Sequence, residues 1–162
     1  MKLRAATADD LGFIRSLTTN PANMPFMGDD DEAQLALDMA HPARRLLIWQ
    51  GNSGPEGFAL FREISDPSGR VELFRLALAM SGAGRGAIFV DALIDYAFLE
   101  LAAKRLWLDA SSENPRALKV YERAGFTEEG RLRAHWYRPI LGRCVDLIFY
   151  GMLRGEWRAR RG

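Results

Sequence analysis

The chain has 162 residues, of which 48% are hydrophobic, enough for one compact domain with a real core and too few for two. With 22 basic against 21 acidic side chains it carries a net charge near +1, which argues against nucleic acid as the main partner. Disorder is excluded for the bulk of the chain, and Asp or Arg breaks each apolar stretch before it reaches the length of a membrane span. Asp9 and Asp10 interrupt the N-terminus, so no secretory leader is expected. Cys144 is the one cysteine, with only His41 and His135 beside it. That excludes an internal disulfide, makes a metal site unexpected and points to a reducing cytoplasm. Cys144 itself reads as a small buried hydrophobe.

In chain order, residues 2–6 predict a short strand. Thr7 and Asp10 have capping-box spacing, and Leu11, Ile14 and Leu17 give the following helix one apolar face. Asn20 to Gly28 is a loop. Asp29 to Asp31 then cap a second helix bearing Leu35 and Met39, which His41-Pro42 ends. His41 reads as a residue that caps or packs there. Three strands follow with short turns between them: Arg44–Trp49, Gly57–Ile64 and Arg70 to about Met80. This series predicts an antiparallel meander. After it, Ser81-Gly82-Ala83-Gly84-Arg85-Gly86 leads into a helix with Ile88, Phe89, Ala92, Leu93, Tyr96 and Ala97 at helical spacing. A strand at Leu106–Asp109 precedes Asn114-Pro115, a cap followed by a first-turn proline. That helix ends at Gly125. Phe126–Arg133 and Arg143–Leu153 are the last strands, and residues 154–162 form a polar, Arg-rich, loosely ordered tail.

A strand, a glycine-rich turn and a helix in succession make a phosphate cradle, because free amides at the turn and helix start point at the anion. Gly82-Ala83-Gly84-Arg85-Gly86-Ala87 formally matches the dinucleotide fingerprint, with Asp109 where a ribose-binding carboxylate would sit. That fingerprint normally opens its domain, however, and here a meander of some eighty residues precedes it. Too little chain follows Asp109 for the rest of such a fold. A P-loop is a poorer match still, because no Lys-Ser or Lys-Thr follows the glycines.

The run Asn114 to Phe126, with its asparagine, its helix bearing Tyr121 and its Gly125-Phe126 ending, resembles the GCN5-related N-acetyltransferases. The family's second signature falls on Ser81, Gly84 and Gly86, with Ser81 replacing its usual long basic or amide residue. Helix and strand order agree from Met1 to about Leu153, so residues 1–153 are expected to form the N-acetyltransferase domain. The segment Arg143 to Tyr150 is similar to the branch that acetylates ribosomal-protein N-termini. The resemblance implies a mixed α/β fold, with a twisted sheet flanked by helices. It also implies acetyl-coenzyme A in a cleft where the strand ending near Met80 splays from the strand at Leu106–Asp109. The pyrophosphate would sit on the amides of Gly82, Ala83, Gly84, Arg85, Gly86 and Ala87. The pantetheine arm would run beside the Leu76–Met80 backbone, with Leu78, Met80 and Asn114 as contacts.

Acyl transfer to an amine needs a base for the amine proton, a donor to the carbonyl oxygen and a proton for the leaving thiolate. The resemblance gives the last task to Tyr121. Glu72 and Asp109 are rival bases, each of which also has a purely structural reading. Asn114 is both helix cap and cofactor contact. Arg116 and Lys119 read as solvated helix residues. His135 and Trp136 lie beside the expected acceptor entrance. The acidic run Asp29, Asp30, Asp31 and Glu32 either attracts a cationic amine or offsets the helix dipole. The expected acceptor is a small-molecule amine or a peptide N-terminus. A homodimer through strand edges is common in the family, and a non-catalytic acyl-coenzyme A-binding protein of the same fold is the alternative.

Overall fold

A computed structural model describes residues 1–28 and 30–162. The elements run in the order β1 (Lys2–Ala5), α1 (Leu11–Thr18), α2 (Glu32–Ala40), β2 (Arg45–Gly51), β3 (Gly54–Arg62), β4 (Arg70–Leu78) and α3 (Arg85–Leu99). Then come β5 (Arg105–Ser111), α4 (Pro115–Arg123), β6 (Thr127–Arg138), β7 (Arg143–Leu153) and α5 (Arg154–Arg161). The seven strands form one mixed sheet in the order β1-β2-β3-β4-β5-β7-β6.

The N-terminal turn is set by Asp10. Its buried carboxylate accepts from the Thr7 amide at 2.8 Å and from both terminal nitrogens of Arg4 at 2.7 and 2.8 Å. These bonds hold the Asp10 carboxyl down to about 2, the Arg4 hydrogen bonds contributing most. Asp31 caps α2, its side chain accepting from the Gln34 amide at 2.8 Å. Asp29 lies outside the described residues.

Alternation along β2, β3 and β4 sends side chains to both faces of the meander. Leu47, Trp49, Ala59, Phe61, Val71 and Leu73 join Phe89, Leu93 and Ala97 of α3 in one core. Leu46, Ile48, Phe58 and Leu60 join Leu11, Ile14, Leu17 and Leu35 in the other, beneath α1 and α2. Between Leu60 and Phe61 the β3–β4 register slips, leaving Phe74 opposite no residue. Such a bulge bends and twists its strand.

The sheet opens at its one parallel junction. β4 and β5 pair only at Arg70↔Arg105, Val71↔Leu106 and Glu72↔Trp107. Beyond Glu72 the two strands run on unpaired with each other, to Leu78 and Ser111, and leave a wedge between them.

Three expectations are corrected. β6 runs on to Arg138, because a bulge between Leu132 and Trp136 resets its register with β7. Ala134 takes φ 47° there, and its amide donates to Asp146 Oδ1 at 2.7 Å. Residues 154–161 form a docked helix in place of a loose tail. Arg154 donates to the Ala103 and Phe98 carbonyls, and Trp157 stacks on Phe98 at 5.2 Å and donates to Asp95 at 2.8 Å. Cys144 is exposed, since it lies at the outer end of β7 opposite Tyr137, where no layer covers the strand. His41 caps as expected, its Nδ1 accepting from the Ala43 amide.

Candidate active site

The glycine loop lies at the mouth of the wedge. Gly82, Ala83 and Gly84 take φ 104°, 48° and 74° in succession, a left-handed path that glycine follows without strain. The Arg85 and Ala87 amides turn back to the Gly82 and Gly84 carbonyls, at 3.0 and 3.1 Å. Among the described residues, the amides of Ala83, Gly84 and Gly86 donate to no carbonyl. A Cβ built on Gly82 or Gly84 would meet nothing within 4 Å, so conformation, not crowding, selects glycine there. Arg85 points elsewhere. Its guanidinium faces Glu56 at 3.4 Å across a hollow that Leu78 and Met80 also line. Met80 lies past the end of β4 and is largely exposed.

The wedge itself holds a cavity of about 340 Å³, lined on one side by Leu73 to Leu76 and on the other by Asp109 to Ser111, Asn114 and Tyr121. Asn114 caps α4, accepting from the Ala117 amide at 3.2 Å. Tyr121 is buried two turns into α4, with the rings of Phe126 and Tyr150 about 6 Å away. Among the described residues nothing hydrogen-bonds its hydroxyl. Burial, reinforced by the Asp109 charge, pushes that phenol far above its ordinary 10. It therefore keeps its proton throughout the neutral range.

Two carboxylates stand at the floor of the wedge. Glu72 occupies the last paired position, half-buried opposite Trp107. Burial pushes it up to about 7, with Arg62 opposing and Asp109 and Glu63 reinforcing. Asp109 lies two residues beyond Trp107, open to the cleft yet enclosed by protein, and desolvation raises its carboxyl against the pull of His135. The structure thus brings Tyr121, Asn114 and Asp109 together around one cavity and sets Glu72 beneath it. Arg116 and Lys119 are exposed on α4.

The rest of the cavity wall is Asn23, Phe26, Met27 and Gly28, from the loop between α1 and α2, with Trp136 and Arg138 of β6. Within the acidic run, Asp31 is occupied as a cap and Asp30 is paired with Arg75. Arg75 and Arg138 went unrecognised in the sequence. Their partners lie far along the chain, and no local spacing marks them.

A family model described as an acetyltransferase (GNAT) domain matches residues 1–127. The chain belongs to the GNAT acetyltransferases. A spermidine N(1)-acetyltransferase of Vibrio cholerae is 29% identical over 99% of this chain and 96% of its own length. A putative ribosomal N-acetyltransferase of Bacillus subtilis is 39% identical, but over 43% of this chain. The ribosomal-branch likeness is therefore the shorter of the two. A crystal structure of spermidine N-acetyltransferase from Vibrio cholerae in complex with CoA and spermine superposes with a TM-score of 0.85 at 26% identity, over 97% of each chain.

This acetyltransferase is an acetyl-coenzyme A-dependent enzyme that acetylates amines. Its cosubstrate supplies the activated acetyl group as a thioester. The residues present fit that molecule: the free amides of Ala83, Gly84 and Gly86 suit a pyrophosphate, and open space lies above the two glycines. Among the described residues no helix is long and apolar enough to cross a membrane, and no cluster could hold a metal ion.

Proposed function

We propose that the enzyme acetylates a primary amine entering from the α1–α2 loop side, by direct transfer without an acyl-enzyme. In this reading Glu72, or Asp109 beside it, takes the amine proton, directly or through water. The nitrogen lone pair then forms a bond to the thioester carbonyl carbon, and the carbon–sulfur bond breaks. Tyr121 donates its hydroxyl hydrogen bond to the departing sulfur. A thiolate of ordinary basicity is a weaker base than this buried phenolate, so the phenol steadies the thiolate by a hydrogen bond and solvent completes the protonation.

The observation that supports the reading is a raised carboxylate, Asp109, lining one cavity with an unpartnered, fully protonated Tyr121, with a second raised carboxylate, Glu72, at the β4–β5 pair where the wedge begins. A carboxylate held near 7 is matched to proton transfer at neutral pH. The acceptor is read as a small-molecule amine or a peptide N-terminus. Spermidine is the reference compound, because it is the named substrate of the relatives. A homodimer paired through a sheet edge and a reducing cytoplasm complete the reading, in accord with the free thiol of Cys144. A panel of amines, monitored by acetyl-dependent release of coenzyme A thiol, tests it. Turnover of at least one primary amine is expected, and it should be abolished in a variant carrying Glu72→Gln and Asp109→Asn together. Full activity in that variant removes both residues from the reaction.

A further inference from the structure

Arg138 ends β6 and is only 8% exposed. Its Nε donates to the Pro25 carbonyl at 3.1 Å, and Nη2 donates to the Met27 carbonyl at 2.7 Å and to the Met24 carbonyl. The guanidinium carbon lies over the Trp136 ring, 4.0 Å from its centroid. All three acceptors are neutral, and among the described residues no carboxylate pairs with Arg138. The other cation lining the cavity, Arg75, is matched by Asp30. Arg138 is thus a buried charge without a carboxylate partner among the described residues, an arrangement that is unfavourable in general unless something supplies the anion.

The guanidinium fork is only partly used. Nε and Nη2 share one edge and hold the loop, whereas Nη1 has no protein acceptor among the described residues. Arg138 lines the same cavity as Asp109, whose carboxylate likewise makes no hydrogen bond among the described residues. One cation without a carboxylate partner and one carboxylate without a hydrogen bond, in a single cavity, complement a ligand carrying both charges.

We propose that the acceptor bears an anionic group, carboxylate or phosphate, alongside its primary amine, and that Arg138 Nη1 holds that group while Asp109 receives the ammonium. The proposal rests on the amine-acetyltransferase reading above and narrows it. It separates this chain from its polyamine-acetylating relatives, since a polyamine offers Arg138 only further positive charge.

The test compares ω-amino acids and aminoalkyl phosphates of graded length with alkylamines of the same length and with spermidine. The readouts are kcat/KM by thiol release and binding to the coenzyme A-loaded protein by calorimetry. One anionic series should exceed its matched alkylamines by about tenfold to a hundredfold, the range of a charge-assisted hydrogen bond. Which series wins tells carboxylate from phosphate. Alkylamines or spermidine binding and reacting as well as both anionic series overturns the proposal. Binding without any turnover, spermidine included, overturns the enzymatic reading separately, and the binding preference still decides this one. Arg138→Gln should abolish the preference while the KM for acetyl-coenzyme A stays within about twofold. A merely structural role would instead raise KM for charged and neutral acceptors alike. A preference that survives in this variant removes the anchor from Arg138. Should the variant fail to fold, the wild-type comparison stands by itself.

Discussion

Replacing Glu72 by Gln separates what this residue does for catalysis from what it costs the fold. The carboxyl is displaced from an ordinary 4.5 to about 7, chiefly by burial. At about 1.36 kcal/mol per tenfold change, that gap is worth about 3 kcal/mol, and solvent screening at a half-buried group brings it to about 1–3 kcal/mol. Below pH 4.5 the group is neutral in folded and unfolded chains alike and has no effect. As pH rises from there to 7 the unfolded chain ionises first, so the native state loses stability, and above 7 the full penalty remains. Glu72→Gln, neutral at every pH, should therefore be more stable than wild type at pH 8, by about 3–10 °C in Tm for a chain of this size, and equal to it near pH 4. The same variant should lose about 10²–10⁴ in kcat/KM, together with the tenfold-per-unit rise expected of wild type below pH 7. Calorimetric melts at the two pH values and a pH–rate profile read both effects. A variant no more stable at pH 8, or one that keeps the fall in rate below pH 7, refutes the argument and moves the base to Asp109.

Tyr121→Phe should lower kcat by about 10²-fold and leave the melting temperature within a degree or two, since no hydrogen bond is lost; steady-state thiol release and a thermal melt check both. Asp10→Asn should cost about 2 kcal/mol in urea unfolding at pH 7, because a lowered carboxyl stabilises the fold above its ordinary 3.8. That difference should shrink as pH falls toward 2. Trp157→Ala should cost about 2–3 kcal/mol by uncovering Phe98, with kcat unchanged, because α5 packs away from the cleft.

The sequence made the local devices legible. Thr7 with Asp10, Asn114 with Pro115, and the glycines before α3 each act within a few residues, so their spacing is their structure. The candidate site was legible where it rides on such devices: Tyr121 follows from the helix that Asn114 begins, and Asp109 lies in a strand already marked by its apolar residues, which runs two residues further than expected, to Ser111. What escaped depends on distant partners. Arg138 binds carbonyls more than a hundred residues earlier, and α5 is held by Phe98, Ala103 and Asp95. The bulge that carries β6 on to Trp136 and Arg138 needs Asp146 from the neighbouring strand. Cys144 was misjudged because residue type is a statement about averages, and the end of β7 faces water.

The exposure of Cys144 has a practical side. As the one sulfhydryl in the chain, standing across from Tyr137 and next to the Arg138↔Arg143 pair, it is a ready attachment point for a fluorophore. Strand alternation turns its side chain, like that of Tyr137, to the sheet face opposite Trp136 and Arg138. A dye placed there would label the protein with no engineered mutation and leave the cavity unobstructed.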